Sequence, residues 1–315
     1  MTQLAANWPF LLVNQIVRGK FFIKPEIAGA MAPQLVDLLQ GKHTKGDKRN
    51  IRIEVLGDSM SQSNFRKAYI LDDDESEADE RESSIYDEAP EGSAAIIPLK
   101  GSMMKYGSWC EYGTAEIADM LRSAASHKNV AAIVLDIDSG GGAVDAIAPM
   151  VDAIKYAREM GKPVVASVDL CCSAAMWVAS ECDYIMADND VSAEVGSIGV
   201  MMSFMDMRAY YEEKGIKVHE IYSSLSANKN LSFREARDGE YDKITSEELD
   251  PLAVSFQEAI KKNRGTKLDL SDEGILSGKT YFAKDALRLG LIDRIGSRSM
   301  AVQVAIAMSH AKNLV

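Results

Sequence analysis

The sequence predicts an α/β fold, and three observations carry that prediction. From residue 94 onward, short apolar runs alternate with stretches of helical period. Two of those runs, AAIIPL and VAAIVLDI, are apolar without a polar face, the pattern of strands covered on both sides. Glycines and single serines mark the points where strand gives way to helix, as in GGGAVDA and CCSAAMW.

Taken in order, residues 1–50 read as two short amphipathic helices, Ala6–Arg18 and Pro25–Leu39, with a turn at Gly19, and Ile51–Leu56 reads as a strand. Residues 72–93 read as a disordered linker, because they are acidic and almost free of large apolar residues. AAIIPL then opens a new pattern. Thr114–His127 is helical by period, VAAIVLDI is a strand, and GGGAVDAIAPMVDAIKYAREMG runs from glycines into a helix. PVVASVD is the next strand and SAAMWVASEC the next helix. YIMAD, SIGVMMSF and KVHEIYS are expected as strands, with MDMRAYYEEKG helical between the last two. Ser246–Asn263 is a further helix, and AKDALRLGLIDRIGS reads as helix, tight turn and short strand. The expected organisation is an N-terminal helical extension over 1–71, an acidic linker over 72–93, a main domain over 94–297 and a helical tail over 298–315.

Composition narrows the function. A chain of 315 residues with 47 % hydrophobic content buries a sizeable core, in one large domain or two small ones. The net charge of −12 argues against nucleic acid or an anionic membrane as partner. Eleven acids of that balance fall within residues 72–91, opposed there by Arg81 alone, so the rest of the chain is close to neutral. Cys110, Cys171, Cys172 and Cys182 lack metal spacing, and buried free thiols in a reducing compartment are expected. The N-terminus lacks a basic leader, and its apolar run WPFLLV is too short to span a bilayer, so a soluble cytoplasmic protein is expected, without membrane contact.

Two features carry chemistry. Gly140, Gly141 and Gly142 follow a strand and open a helix, where backbone amides favour a negatively charged oxygen; the bland alternative is a tight turn. The phosphate-binding patterns G-x-x-x-x-G-K-[ST] and G-x-G-x-x-G are absent. Ser173 begins a small-residue helix and is either an ordinary N-cap or a nucleophile. Both features sit at the C-terminal ends of strands in consecutive strand–helix units, where open α/β sheets place ligands. A serine needs a base. None of His43, His127, His219 and His310 lies in a segment that reads as an active-site loop. A lysine serves when burial disfavours its charge, and Lys229 follows a predicted strand and precedes a polar loop.

Six segments in order carry a resemblance: AAIIPLKG, VAAIVLDIDSGGGAVDA, CCSAAMWVASECDYIMAD, EVGSIGVM, GIKVHEIYSSLSANKNLSFR and GKTYFAKDALRLGLIDRIGS. Together, over Ala94–Ser297, they resemble the signal peptide peptidase A family of serine proteases, within the Clp protease and crotonase fold group. The resemblance implies a repeated ββα core, here with an added N-terminal helical segment. It implies a Ser–Lys dyad with Ser173 as nucleophile and Lys229 as general base, and no cofactor or metal. The amide of Ala174, with that of Gly141 or Gly142, would form the oxyanion hole, and Ser197 in GSIG would orient the lysine. Three positions depart from the family pattern: Gly140 stands for a proline, Ala174 and Ala175 for two glycines, and Ser226 for the glycine before the lysine. Lys217 and Lys243 are rival bases, and Cys172 is a rival nucleophile.

Short members of this family assemble into rings in which a neighbour can complete the dyad, so a homo-oligomer is expected. The foreign N-terminal segment makes the chain similar to phage and prophage peptidases. A polypeptide substrate, capsid or scaffold partners, and a place in the cytoplasm or a phage prohead follow from that likeness. The N-terminal segment reads as a docking element or as a pro-segment removed by self-cleavage. Two other classes stay open: a catalytically silent scaffold or capsid-assembly protein on the same fold, and acyl-coenzyme A chemistry of the crotonase type.

Overall fold

A computed structural model of the chain describes residues 20–23, 50–57, 66–72, 85–107, 112–204 and 206–312. The N-terminal part contributes β1 (Lys20–Ile23), β2 (Asn50–Leu56) and β3 (Arg66–Asp72). There follow β4 (Ser93–Lys100), α1 (Thr114–Ser126), β5 (Val130–Ser139), β6 (Gly141–Ala143), α2 (Ile147–Glu159), β7 (Val164–Cys172) and α3 (Ala174–Ser180). Next come β8 (Tyr184–Ala187), β9 (Glu194–Gly196), β10 (Met201–Met202), α4 (Arg208–Glu213), α5 (Leu231–Arg237) and α6 (Asp250–Arg264). The chain closes with β11 (Thr280–Phe282), α7 (Ala283–Arg288), β12 (Arg294–Ile295) and α8 (Arg298–Lys312).

The main sheet runs in the order β11-β9-β7-β5-β4-β2-β3. Its centre is parallel: β4 with β5, β5 with β7, and β7 with both β8 and β9. The apolar runs earn their two-sided burial there. Ala95, Ile97, Leu99, Ile133, Leu135 and Ile137 face one core with α1 and α2, whereas Ala94, Ile96, Ala132, Val134 and Val165 face a second core with α8. Each fully buried isoleucine or leucine of this set contributes about 1.5–3 kcal/mol over its exposed state. The residues of α8 at Ala301, Val302, Ala305 and Ile306 recur at helical spacing and seal the second face. Residues 298–312 are therefore a layer of the fold rather than a tail.

Local chemistry explains the helices. The apolar face of α2 is Ile147, Met150, Val151 and Ile154. At the start of α1 the amide of Gly113 donates to Glu116 Oε2 at 2.8 Å. At its end Lys162, from the loop between α2 and β7, donates to the carbonyls of Ala124 and His127. Its half-burial there pulls the amine down to about 8.

Strand β7 divides its partners. Val165–Val168 pair with β8, and Leu170–Cys172 pair with β9. The intervening loop is held by Asn189, whose Oδ1 accepts from the amides of Val191, Ser192 and Ala193 while its Nδ2 donates to Asp169. Strand β9 is thus wedged between β7 and the antiparallel β11, and it ends on Gly196 at φ 117°.

Several expectations change. Within the described residues the N-terminal part is strand, not helix: β2 and β3 form a hairpin whose inner strand is antiparallel to β4. Sequence reading found β2 but not β3, whose short AYIL run abuts the acidic residues. The two helices expected at Ala6–Arg18 and Pro25–Leu39 lie outside the described residues, as do Cys110 and most of the acidic run. The last part of the segment expected to be disordered, 85–93, is ordered instead: a helical turn at 85–87 buries Ile85 and Tyr86, and Ser93 starts β4. KVHEIYS is not a strand, and Val218 and Ile221 are exposed without sheet partners.

One buried ion pair ties the closing segment to the sheet. Arg264 donates from Nη1 and Nη2 to the two carboxylate oxygens of Asp293 at 3.0 and 2.9 Å, and from Nε to the Gly290 carbonyl at 2.8 Å. Asp293 also accepts from the amide of Ile185 in β8 at 2.8 Å and from Lys267. Burial pushes the Asp293 carboxyl up, but these donors outweigh it and hold it below its usual value. A carboxylate with a depressed folded value stabilises the protein above its unfolded value of about 3.9 and loses that contribution as pH falls through the folded one. We predict that Asp293→Ala costs about 3–5 kcal/mol at neutral pH, because it strands a buried guanidinium. In urea titrations the gap from wild type should shrink below about pH 4; a gap that is constant with pH would refute the assignment.

Gly196 supplies a second prediction. A Cβ there would sit 2.7 Å from the Lys279 carbonyl oxygen, on backbone that side chains rarely adopt. Gly196→Ala should lower the unfolding midpoint, at a cost of roughly 1–3 kcal/mol, and an unchanged midpoint would show that β9 has room to shift.

Candidate active site

Ser173 links β7 to α3 and adopts φ 57° and ψ −119°. This is strained backbone for a residue with a side chain, and such strain persists only where the surroundings enforce it. Two backbone bonds do so here. The Ser173 amide donates to the Gly196 carbonyl at 2.8 Å, and the Ser173 carbonyl accepts from Trp177 in the first turn of α3. The ordinary reason for a serine at a helix start does not apply, because its hydroxyl makes no capping bond. Instead Oγ donates to the Gly199 carbonyl at 3.4 Å, and the residue is almost wholly buried.

The GSIG turn wraps this serine. Gly196 and Gly199 supply the two carbonyls that Ser173 contacts, one through its amide and one through its hydroxyl. Ser197 lies between them at φ 52°, and its amide is tied to the Lys279 carbonyl at 2.9 Å. Sequence reading singled out Ser197 but missed its flanking glycines and Lys279, which act through backbone atoms; the repeated glycine of G-S-I-G was the available signal.

The glycine segment differs from its expected form. Gly141–Ala143 is a strand rather than a helix N-terminus, and helix α2 begins only at Ile147. Its backing is the Met103 backbone: the Met103 amide donates to the Gly141 carbonyl at 2.9 Å, and the Ala143 amide donates to the Met103 carbonyl at 2.8 Å. A Cβ on Gly142 would lie 1.9 Å from that carbonyl oxygen, so close approach is the reason for glycine there. The Gly141 amide donates to Ser139 Oγ at 3.2 Å. The parallel rung Ser139↔Cys171 closes the pairing of β5 with β7, two residues before Gly141 on one side and two before Ser173 on the other, and α3 packs against β6. Ala174 is the first residue of α3, so its amide is among those without an acceptor inside the helix.

Lys229 is not among the hydrogen-bond partners of Ser173 within the described residues. It is exposed, and its amide closes a turn onto the Ser226 carbonyl. It belongs to an arm, residues 206–230, that is almost entirely exposed. The arm is braced by Arg208 on Asp206 and Asp238, by Arg237 on Glu220, and by Arg234 over the Tyr222 ring at 4.5 Å. Of the rival bases, Lys217 is exposed on the same arm and Lys243 is paired with Glu235 at 2.9 Å. His127 contacts Asp87, and His219 and His310 are exposed, so within the described residues no histidine bonds Ser173. Cys171, Cys172 and Cys182 are buried free thiols; burial raises the Cys171 thiol well above its ordinary value, and Cys172 directs its sulfur to the Glu194 carbonyl.

Comparison with known proteins bears on this arrangement. Residues 156–312 match the model of Peptidase family S49. The chain is 28 % identical over 213 residues to Protease 4 of Haemophilus influenzae, covering 67 % of this chain and 34 % of that protein. It is 27 % identical over 220 residues to Capsid assembly protease C of Escherichia phage lambda, covering 67 % of this chain and 48 % of that one. The chain thus spans about a third of the first of these relatives and about half of the second. A solved structure of the 1510-N membrane-bound stomatin-specific protease overlaps 64 % of this chain and 78 % of its own, at 16 % identity and a TM-score of 0.40. Among the described residues no helix is long and apolar enough to cross a membrane. The strained serine turn, the GSIG turn and Lys229 all fall inside the matched span, and the chain belongs to peptidase family S49.

Proposed function

We propose that the protein is a serine endopeptidase that cuts extended polypeptide through an acyl-enzyme on Ser173, with Lys229 as the general base. One observation carries this reading: Ser173 holds a costly backbone conformation while its hydroxyl does no capping work. In the reaction, the lysine amine takes the proton of Ser173 Oγ as that oxygen attacks the substrate carbonyl. The resulting oxyanion accepts from the Ala174 amide and from that of Gly141 or Gly142. The same lysine returns its proton to the leaving amine, and water then hydrolyses the ester. Ser197 orients the lysine. These steps need no metal or cofactor.

A lysine works as a base once it is covered and stripped of water. Lys229 lies on an exposed arm whose apolar residues Ile221 and Leu225 are 93 % and 95 % accessible. Such a surface favours association. We therefore assign the covering role to a neighbouring copy in a homo-oligomer, with the base of one copy serving the serine of the next. The similarity to a capsid assembly protease favours capsid or scaffold polypeptide as substrate, cut within the cytoplasm or a prohead. The exposure of Lys229 against the burial of Ser173, with Ala174 and Ala175 in place of the family's glycines, favours a silent assembly protein as the second reading. A fluorophosphonate adduct on Ser173 would exclude that reading.

Ser173→Ala and Lys229→Ala should each lower kcat/KM on a fluorogenic peptide by roughly 10³-fold or more, and the double variant should be no worse than either single one. Additive losses would dissolve the dyad. Mixing the two inactive single variants and allowing subunits to exchange should restore part of the activity, since hybrid assemblies hold intact serine–lysine pairs across their contacts. If exchange is shown by mass spectrometry and no activity returns, the lysine acts within its own chain.

A further inference from the structure

Strands β6 and β10 do not pair with each other. Between them lies β1, antiparallel to both, as the middle strand of a three-stranded sheet. On one side Phe21, Phe22 and Ile23 stand opposite Ala143, Gly142 and Gly141. On the other, Lys20 and Phe21 stand opposite Met202 and Met201. Neighbouring strands are about 4.8 Å apart, so without β1 the two walls would enclose a slot one strand wide, each presenting open backbone donors and acceptors. That is the geometry by which sheets accept a foreign extended peptide.

The slot is fixed in shape and leads to the serine. Met103 pins one wall through its bonds to Gly141 and Ala143, and the bare Gly142 keeps that wall pressed onto the Met103 backbone. The other wall follows directly from the GSIG turn that holds Ser173. Phe21 stands opposite Met201, two residues past Gly199, and the pairing is antiparallel, so Ile23 marks the end of β1 nearest the nucleophile.

We propose that Lys20–Ile23 is a resident occupant of the polypeptide slot, and that it keeps the protein latent until it leaves. This deepens the peptidase reading and rests on it only in calling the slot's other occupant a substrate. The barrier to entry is intramolecular: an incoming peptide has to displace a tethered strand rather than fill an empty site. A central strand spends each amide on one wall or the other, so a proline within β1 removes at least one rung.

The test uses full-length Ser173→Ala protein, in which nothing can be cut, with and without Phe22→Pro. The probe is a fluorescein-labelled synthetic peptide copying residues 17–26, read by anisotropy. Phe22→Pro should tighten its binding by about tenfold or more, as expected where the open slot is populated a tenth of the time or less. Hydrogen exchange on the Ser173→Ala protein should show protected amides at Phe21–Ile23 and Met201–Met202. In the double variant that protection should be lost while β5 and β7 stay protected. Equal affinity in the two proteins, or unprotected Phe21–Ile23 amides in the Ser173→Ala protein, would overturn the proposal. Neither readout depends on hydrolysis, so a failure here is distinct from a failure of Ser173 to act as a nucleophile.

Discussion

The amide of Ser173 donates to the Gly196 carbonyl at 2.8 Å, and much of the molecule is arranged so that this bond can exist. It requires β7 to exchange β8 for β9 partway along its length, which the Asn189 loop permits. It requires β9 to end where it does, wedged against β11, with Gly196 and Ser197 both at positive φ. In turn it holds Ser173 out of the helical conformation that the start of α3 would otherwise favour. A reactive-looking serine is here the product of sheet topology, and its hydroxyl is aimed by a backbone contact made more than twenty residues downstream in sequence.

The parallel core was legible in the sequence because burial on both faces leaves an uninterrupted apolar run. AAIIPL, VAAIVLDI and PVVASVD could hardly be anything but internal strands, and helix α2 followed from its three-to-four-residue spacing. Elements whose form depends on distant partners were not legible. Gly141–Ala143 is a strand because the Met103 backbone lies against it, and nothing local to GGGAVDA says so. KVHEIYS has the composition of a strand but no sheet edge to join, so composition alone misled. The order of segments found Ser173 and the GSIG turn, whereas the strain at the serine and the carbonyls of Gly196 and Gly199 are facts of backbone geometry.

The site also divides by rigidity. Ser173, the GSIG turn and the glycine strand rest on buried strands and helices, held through main-chain bonds. Lys229 rides on an arm whose internal bracing is a set of exposed ion pairs, each worth little in water. In the dyad proposed above, one half of the chemistry is preorganised by the core, and the other half sits on an exposed surface. That division suits the proposed completion of the site by a neighbouring copy, since chemistry built wholly on the rigid half would be on as soon as the chain folded.

The hairpin of β2 and β3 carries a consequence for the chain's covalent integrity. Seven rungs join the two strands, and the inner one adds a further set to β4, so residues 50–72 are a structural edge of the main sheet. The acidic run follows immediately and continues past the buried turn of Ile85 and Tyr86. A proteolytic nick between Asp72 and Ile85 would therefore sever the polypeptide without separating its pieces. The product would be a two-fragment complex that migrates as one particle under native conditions and as two bands in detergent.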